Sequence, residues 1–253
     1  MTNRLYRCGL FLGLLALASA PAHAQNTSFG ASVHLLVGQT PVRVTLTSGS
    51  TATRYYDAPV VANRSYCAEA TASETEVMDA DPTLTLYHAD QSTTFGVDTG
   101  NLEPKGGTAA RVCFMASSTE TIYIKLTPAS ASFENREYAL RFLETTIFTN
   151  WFFVGGDYSS FTLIRNTTNA TVNYTAYWRN AAGSTLATSP GSIAGNGIVA
   201  INARSFPAVL AAGSGSVELA HDGSPEALVG SQTTLSGGTG LSFDTIYFQR
   251  RVW

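Results

Sequence analysis

Residues 215–230 read GSVELAHDGSPEALVG, and two incompatible readings compete for them. His221, Asp222 and Ser224 are the side-chain types of a hydrolytic triad, crowded into one short stretch. The same stretch alternates with period two: Val217, Leu219 and His221 fall on one face of a strand, and Glu218 and Ala220 on the other. DGSP then supplies turn chemistry, with an aspartate to cap the backbone, a glycine to permit positive φ and a proline to fix it. An apolar run resumes near Ala227. A triad needs side chains that converge from separate elements, a nucleophile on a strained elbow and an oxyanion hole. Neighbours on one turn do not provide these, and no G-x-S-x-G motif occurs in the chain; GSIAG, at 191–195, has its serine one position early. The segment is therefore read as strand, turn, strand, with the polar residues at a hairpin tip.

That reading extends to most of the chain. TPVRVTLT (40–47) alternates in the same way, as do 54–61, 64–71, 82–89, 110–116, 121–127 and 137–144, separated by TSGS, DADP, DTGNLEPKGG and PASASFENRE. A second series covers 148–154, 159–165, 171–179, 184–189, 197–202, 215–221, 227–234 and 242–249. Strands this short and this evenly punctuated by Gly, Pro, Asn and Asp predict an all-β protein of tandem β-sandwich domains, jelly-roll or immunoglobulin-like. Only 205–212 (SFPAVLAA) reads as a helical turn. The boundary between the two series falls at about Thr145–Thr146, where no flexible linker is written, so the halves are expected either to pack against each other or to share a short rigid joint.

Residues 1–24 have a basic start (Arg4, Arg7), an apolar run and a small-x-small end, Ala22-His23-Ala24. This is the pattern of a cleaved signal peptide, which carries Cys8 away with it and predicts a secreted or periplasmic location. The expected organisation is leader 1–24, first sandwich 25–145 and second sandwich 146–253. No later stretch is long and apolar enough to predict a transmembrane helix. A net charge of −3 and only two lysines, Lys105 and Lys125, argue against a nucleic-acid partner. Beyond the leader the chain holds two cysteines, Cys67 and Cys113, and an even pair in an oxidising compartment predicts a disulfide.

The stretches YYDAPVVANRSYCAEATA (55–72), DPTLTLYHAD (81–90), ARVCFMAS (110–117) and the closing TETIYIKLT and REYALRFLE resemble the bacterial pre-peptidase C-terminal type of β-sandwich. The resemblance covers roughly residues 30–145. It departs from that family's usual arrangement in that no protease precedes it. The second half, through FTLIRNTTNATVNYTAYWRNAAGSTL, GNGIVAINAR and GLSFDTIYFQR, is similar to an uncharacterised β-sandwich module of bacterial secreted proteins. Neither resemblance brings a catalytic residue set.

Two groups of residues stand as candidate sites. Glu74, Glu76, Asp79 and Asp81 cluster in SETEVMDADP; they read either as loop oxygens for calcium, which some sandwiches like the first hold in loops, or as a solvated acidic loop. Trp151, Tyr177 and Trp178 read either as a stacking platform for sugar rings or as packing between strands or domains. No H-E-x-x-H, phosphate-binding loop or dinucleotide fingerprint is present. The sequence thus predicts a non-enzymatic binding or adhesion-like protein for a cell-surface polysaccharide or an extracellular protein. The alternatives are an accessory partner of a secreted hydrolase and, behind it, an unrecognised hydrolase.

Overall fold

The computed structural model describes residues 26–46, 53–72, 82–100, 107–128 and 136–251. The signal-peptide expectation and the calcium candidates Glu74, Glu76, Asp79 and Asp81 lie outside the described residues.

The strands in chain order are β1 (Val33–His34), β2 (Val42–Leu46), β3 (Arg54–Val60), β4 (Ser65–Ala72), β5 (Pro82–Tyr87), β6 (Thr94–Asp98), β7 (Thr108–Met115), β8 (Glu120–Pro128) and β9 (Arg136–Glu144). They form two facing sheets, β1-β3-β8-β5-β6 and β2-β9-β4-β7. A second set follows: β10 (Ile147–Phe153), β11 (Tyr158–Asn166), β12 (Val172–Arg179), β13 (Thr185–Ile193), β14 (Ile198–Asn202), β15 (Ser214–His221), β16 (Leu228–Ser236), β17 (Ser242–Tyr247) and β18 (Gln249–Arg250). These make a third sheet, β13-β12-β15-β10-β18, and a fourth, β14-β11-β16-β17. Pairing is antiparallel except between β1 and β3. The helical turn expected at 205–212 is the single-turn helix α1, Pro207–Ala212, entered through Pro207 and closed by Gly213 at φ 75°. β6 escaped the pattern reading because Gly96 interrupts its short apolar alternation.

Each pair of sheets has its own core. In the first, Ile122, Ile124 and Leu126 of β8 and Leu84 and Leu86 of β5 face Tyr66, Leu140 and Phe142 across the layers. Tyr66 and Phe142 stack with ring centroids 5.4 Å apart. In the second, Phe152, Ile164, Trp178, Val217 and Leu219 fill the centre. Burying residues of this size is the main drive for each half, each side chain contributing roughly 1.5–3 kcal/mol.

The joint between the halves is ordered by hydrogen bonds. The Thr145 N–H donates to the Ser65 carbonyl at 2.8 Å, and Ser65 N–H donates to Thr146 Oγ1 at 2.8 Å. Thr145 and Thr146 are both buried. β4 is the strand both halves share as a neighbour: its core face carries Tyr66, Ala68 and Ala70, and its other face carries Ser65, Cys67 and Glu69, all buried as well. Cys67 stands directly opposite Cys113 on β7, and the expected disulfide joins them. The carbonyl oxygen of Gly223, from the second half, rests 3.6 Å from Cys67 Sγ and helps to cover it.

One expectation is corrected here. Residues 222–227 are not a hairpin tip. β15 belongs to the third sheet and β16 to the fourth, so DGSPEA crosses between sheets and does not fold one strand back on its partner. The turn chemistry was correctly read, but a sandwich can use the same residues for either connection.

Candidate functional site

The structure separates the chemistry named in the opening segment. His221 is fully buried at the end of β15, and its Nε2–H donates to the Thr145 carbonyl oxygen at 3.1 Å. Asp222 accepts from the Asn173 backbone N–H at 2.9 Å and from Asn173 Nδ2 at 2.7 Å. Both residues are thereby engaged in holding the inter-sheet crossing and the joint. Burial pulls the His221 pKa down to about 4, against the opposing pull of its hydrogen bond to Thr145. Among the described residues, no group of three or more His, Cys, Asp or Glu side chains is placed to hold a metal ion.

Charged groups gather around the joint. Glu144, at the end of β9, lies 3.2 Å from Arg64 and 3.7 Å from Arg251, and Arg251 reaches Glu218 at 2.7 Å. Glu218 also pairs with Arg179. Burial raises the Glu144 carboxyl above its ordinary range, with Arg64 and Arg251 opposing. In the first sandwich, Glu69 is buried between Arg111 at 2.5 Å and Arg141 at 2.6 Å. Glu69 and Glu218 are each paired with two arginines, whereas Glu144 bonds Arg64 through Oε2 and, among the described residues, its buried Oε1 has no hydrogen-bond partner, with Arg251 3.7 Å away.

The aromatic candidates divide. Tyr177 and Trp178 are adjacent on β12, so the pleat sends them to opposite faces. Trp178 is 0% exposed, packed against Phe206 with ring centroids 4.6 Å apart, and is core. It cannot serve as a surface platform, and that expectation is corrected. Tyr177 faces out from the third sheet, with the Arg179 guanidinium 5.7 Å from its ring centroid.

Trp151 is also on the outside. β10 slips register against β15 between Thr149 and Phe152, and both of these point inward although they are three residues apart. The extra residue of that bulge sends Asn150 and Trp151 outward together. Trp151 then stacks at 6.1 Å on Phe153, and Phe153 and Phe243 each contact Tyr158, at 6.2 and 5.5 Å. Beside Trp151 is an open pocket of about 360 Å³, with Asn150, Asn180, Ser214 and Ser216 in its lining. Its walls are rigid. Asn180 Oδ1 accepts from Ala182 N–H at 3.0 Å and Ser184 N–H at 2.9 Å, which locks the β12–β13 turn. Gly215 is required at the floor, because a Cβ there would collide with the Arg179 carbonyl oxygen. The pocket thus offers one half-buried indole and several uncharged hydrogen-bonding side chains. Sequence reasoning found Trp151 but not Asn150, Asn180, Ser214 or Ser216; asparagine and serine are too common in turns to stand out.

Fold and site together define an all-β protein of layered sheets with an aromatic, uncharged surface pocket on its second half. No family model and no curated protein matches the chain. Among solved structures it is similar to a calcium-binding mutant of Bacteroides uniformis beta-glucuronidase 2, at 12% identity and TM-score 0.23, over 91% of this chain and 30% of that one. A glycosyl hydrolase family 2 member from Bacteroides cellulosilyticus matches at 8% identity and TM-score 0.21, over 77% and 28%. The full extracellular region of zebrafish Gpr126 matches at 8% identity and TM-score 0.26, over 88% and 34%. The chain therefore spans about a third or less of the length of these solved chains. Among the described residues no helix is long and apolar enough to cross a membrane.

Proposed function

We propose that this chain is an extracytoplasmic, non-enzymatic binding module that recognises a neutral sugar of a cell-surface polymer through Trp151. The observation that carries this is the pocket beside Trp151. An apolar ring face stacks on the faces of sugar rings, and the flanking Asn150, Asn180, Ser214 and Ser216 match the hydroxyls at their edges. Among the described residues no charged side chain lines that pocket, which favours an uncharged sugar over an acidic one. The Cys67–Cys113 bridge fits an oxidising compartment outside the cytoplasm. In this reading the first sandwich, with its pre-peptidase C-terminal-like pattern, is the spacer that presents the second.

The test is retention on insoluble cellulose, chitin and peptidoglycan. Native protein is expected to be retained by at least one of them, and Trp151→Ala to elute about tenfold more readily. Retention by none, or equal retention of Trp151→Ala, rejects the reading.

A further inference from the structure

The fourth sheet mixes polar side chains into its inward face, beside Ile164 and Leu228, while its outward face carries exposed apolar ones. Its central strands, β11 and β16, point Ser160, Thr162, Gln232 and Thr234 into the sandwich, all of them buried. There Ser160 Oγ and Thr234 Oγ1 are 2.6 Å apart, and Thr162 Oγ1 donates to Gln232 Oε1 at 2.6 Å. The opposite face of the sheet carries Leu163, Val229, Ile198 and Tyr247, exposed by 37%, 49%, 68% and 72%. An antiparallel sheet with one face in water normally places its apolar residues inward and its polar ones outward. Contiguous exposed apolar side chains mark an interaction surface. Here the four side chains line a depression of about 470 Å³, a volume within the range of small-molecule sites.

Arg165 stands at the edge of this depression, in cross-strand register with Ile198 on one side and Val229 on the other. Among the described residues no carboxylate pairs with it, as with Arg54 and Arg204, although Arg204 is held by the Gly156 and Tyr158 carbonyls; Arg64, Arg111, Arg141, Arg179 and Arg251 each have a carboxylate partner. None of the outward positions of β11, β14, β16 and β17 is acidic, so a second copy laid face to face would bring Arg165 no counter-charge.

We propose that this face binds an amphiphile made of an aliphatic chain with a single anionic end group. The chain lies over Leu163, Ile198, Val229 and Tyr247, and the anion sits on the Arg165 guanidinium, which suits carboxylate and phosphate geometry. This site is separate from the Trp151 pocket, which opens on the third sheet.

The test is calorimetric titration of the full chain with laurate, below the concentration at which laurate aggregates, and with dodecanol as the uncharged control. Saturable one-to-one binding of laurate is expected. Arg165→Gln should weaken it about tenfold while leaving dodecanol unchanged, and Ile198→Asp should abolish both. Trp151→Ala should leave laurate binding intact, so failure of the sugar reading does not touch this one. Both test positions are exposed, and unchanged circular dichroism melts would verify that the variants fold. Absence of saturable laurate binding, or equal affinity in Arg165→Gln, overturns the proposal. So does a sedimentation-equilibrium dimer that Ile198→Asp dissociates and that takes up no laurate, since a second copy would then be the occupant.

Discussion

His221 Nε2 lies 3.1 Å from the carbonyl oxygen of Thr145, so a fully buried imidazole of the second half hydrogen-bonds the residue at which the halves join. The carbonyl accepts, which requires the proton on Nε2. Nδ1 is buried without a hydrogen-bond partner among the described residues. Desolvation is accordingly the chief cause of the fall in its pKa from 6.5 to about 4, with Asp222 opposing and Arg250 assisting.

The sign of the resulting pH dependence follows directly. The unfolded chain binds a proton on this histidine near pH 6.5 and the folded chain only near pH 4. Stability from this group is complete above about pH 6.5 and is lost as pH falls towards 4, by up to about 3 kcal/mol. Glu144, whose carboxyl is raised by burial, acts in the opposite direction on acidification. Urea unfolding at pH 7, 5.5 and 4.5 should therefore show a decline in the native protein that is flattened in His221→Asn. An equal decline in both would show that the histidine is not its source.

The two outward- and inward-facing tryptophans should separate cleanly in stability. Trp178→Ala removes a fully buried indole from the second core and is expected to cost about 4 kcal/mol. Trp151→Ala removes a half-buried ring stacked on Phe153 and should cost about 1 kcal/mol. Thermal melts of the two variants check this, and a comparable loss in both would place Trp151 in the core.

Glu69 is a carboxylate without solvent, held by Arg111 and Arg141 across three adjacent strands. Glu69→Leu leaves two arginines without their partner, and a loss of about 3 kcal/mol is expected. The triple variant Glu69→Leu, Arg111→Leu, Arg141→Leu should recover most of that loss. Denaturant titration of the two variants reads the difference, and no recovery would mean that the side chains matter for packing alone.

Cys67 and Cys113 are 46 residues apart in sequence, and the bridge removes that loop's freedom from the unfolded chain. Cys67→Ala with Cys113→Ala is expected to lower stability by about 4 kcal/mol in the chain-entropy account. Cys67 also carries the contact with Gly223, so the melt of the double variant should broaden if the halves lose their mutual support. A melting temperature that is unaltered by reduction or by the double substitution would contradict this.

What the residues determined on their own was local and periodic. Alternation at Val217, Leu219 and His221, at Val42, Val44 and Leu46, and along β12 assigned strands and the residues that share a face, because a pleat repeats every two residues whatever lies across from it. The helical turn read at 205–212 was local in the same way, and the structure has it at Pro207–Ala212. Cysteine parity anticipated the bridge, although parity alone does not bring two strands side by side. The tertiary structure decided everything that depends on which strand lies beside which. Whether DGSP closes a hairpin or crosses between sheets is a question of partner strands, and β15 and β16 found different ones. The bulge in β10 turned Trp151 outward, the third sheet buried Trp178, and packing at the joint made His221 an interior residue. The exposed apolar face of the fourth sheet was likewise hidden, since alternation reports two faces and only the opposing layer tells which of them meets water.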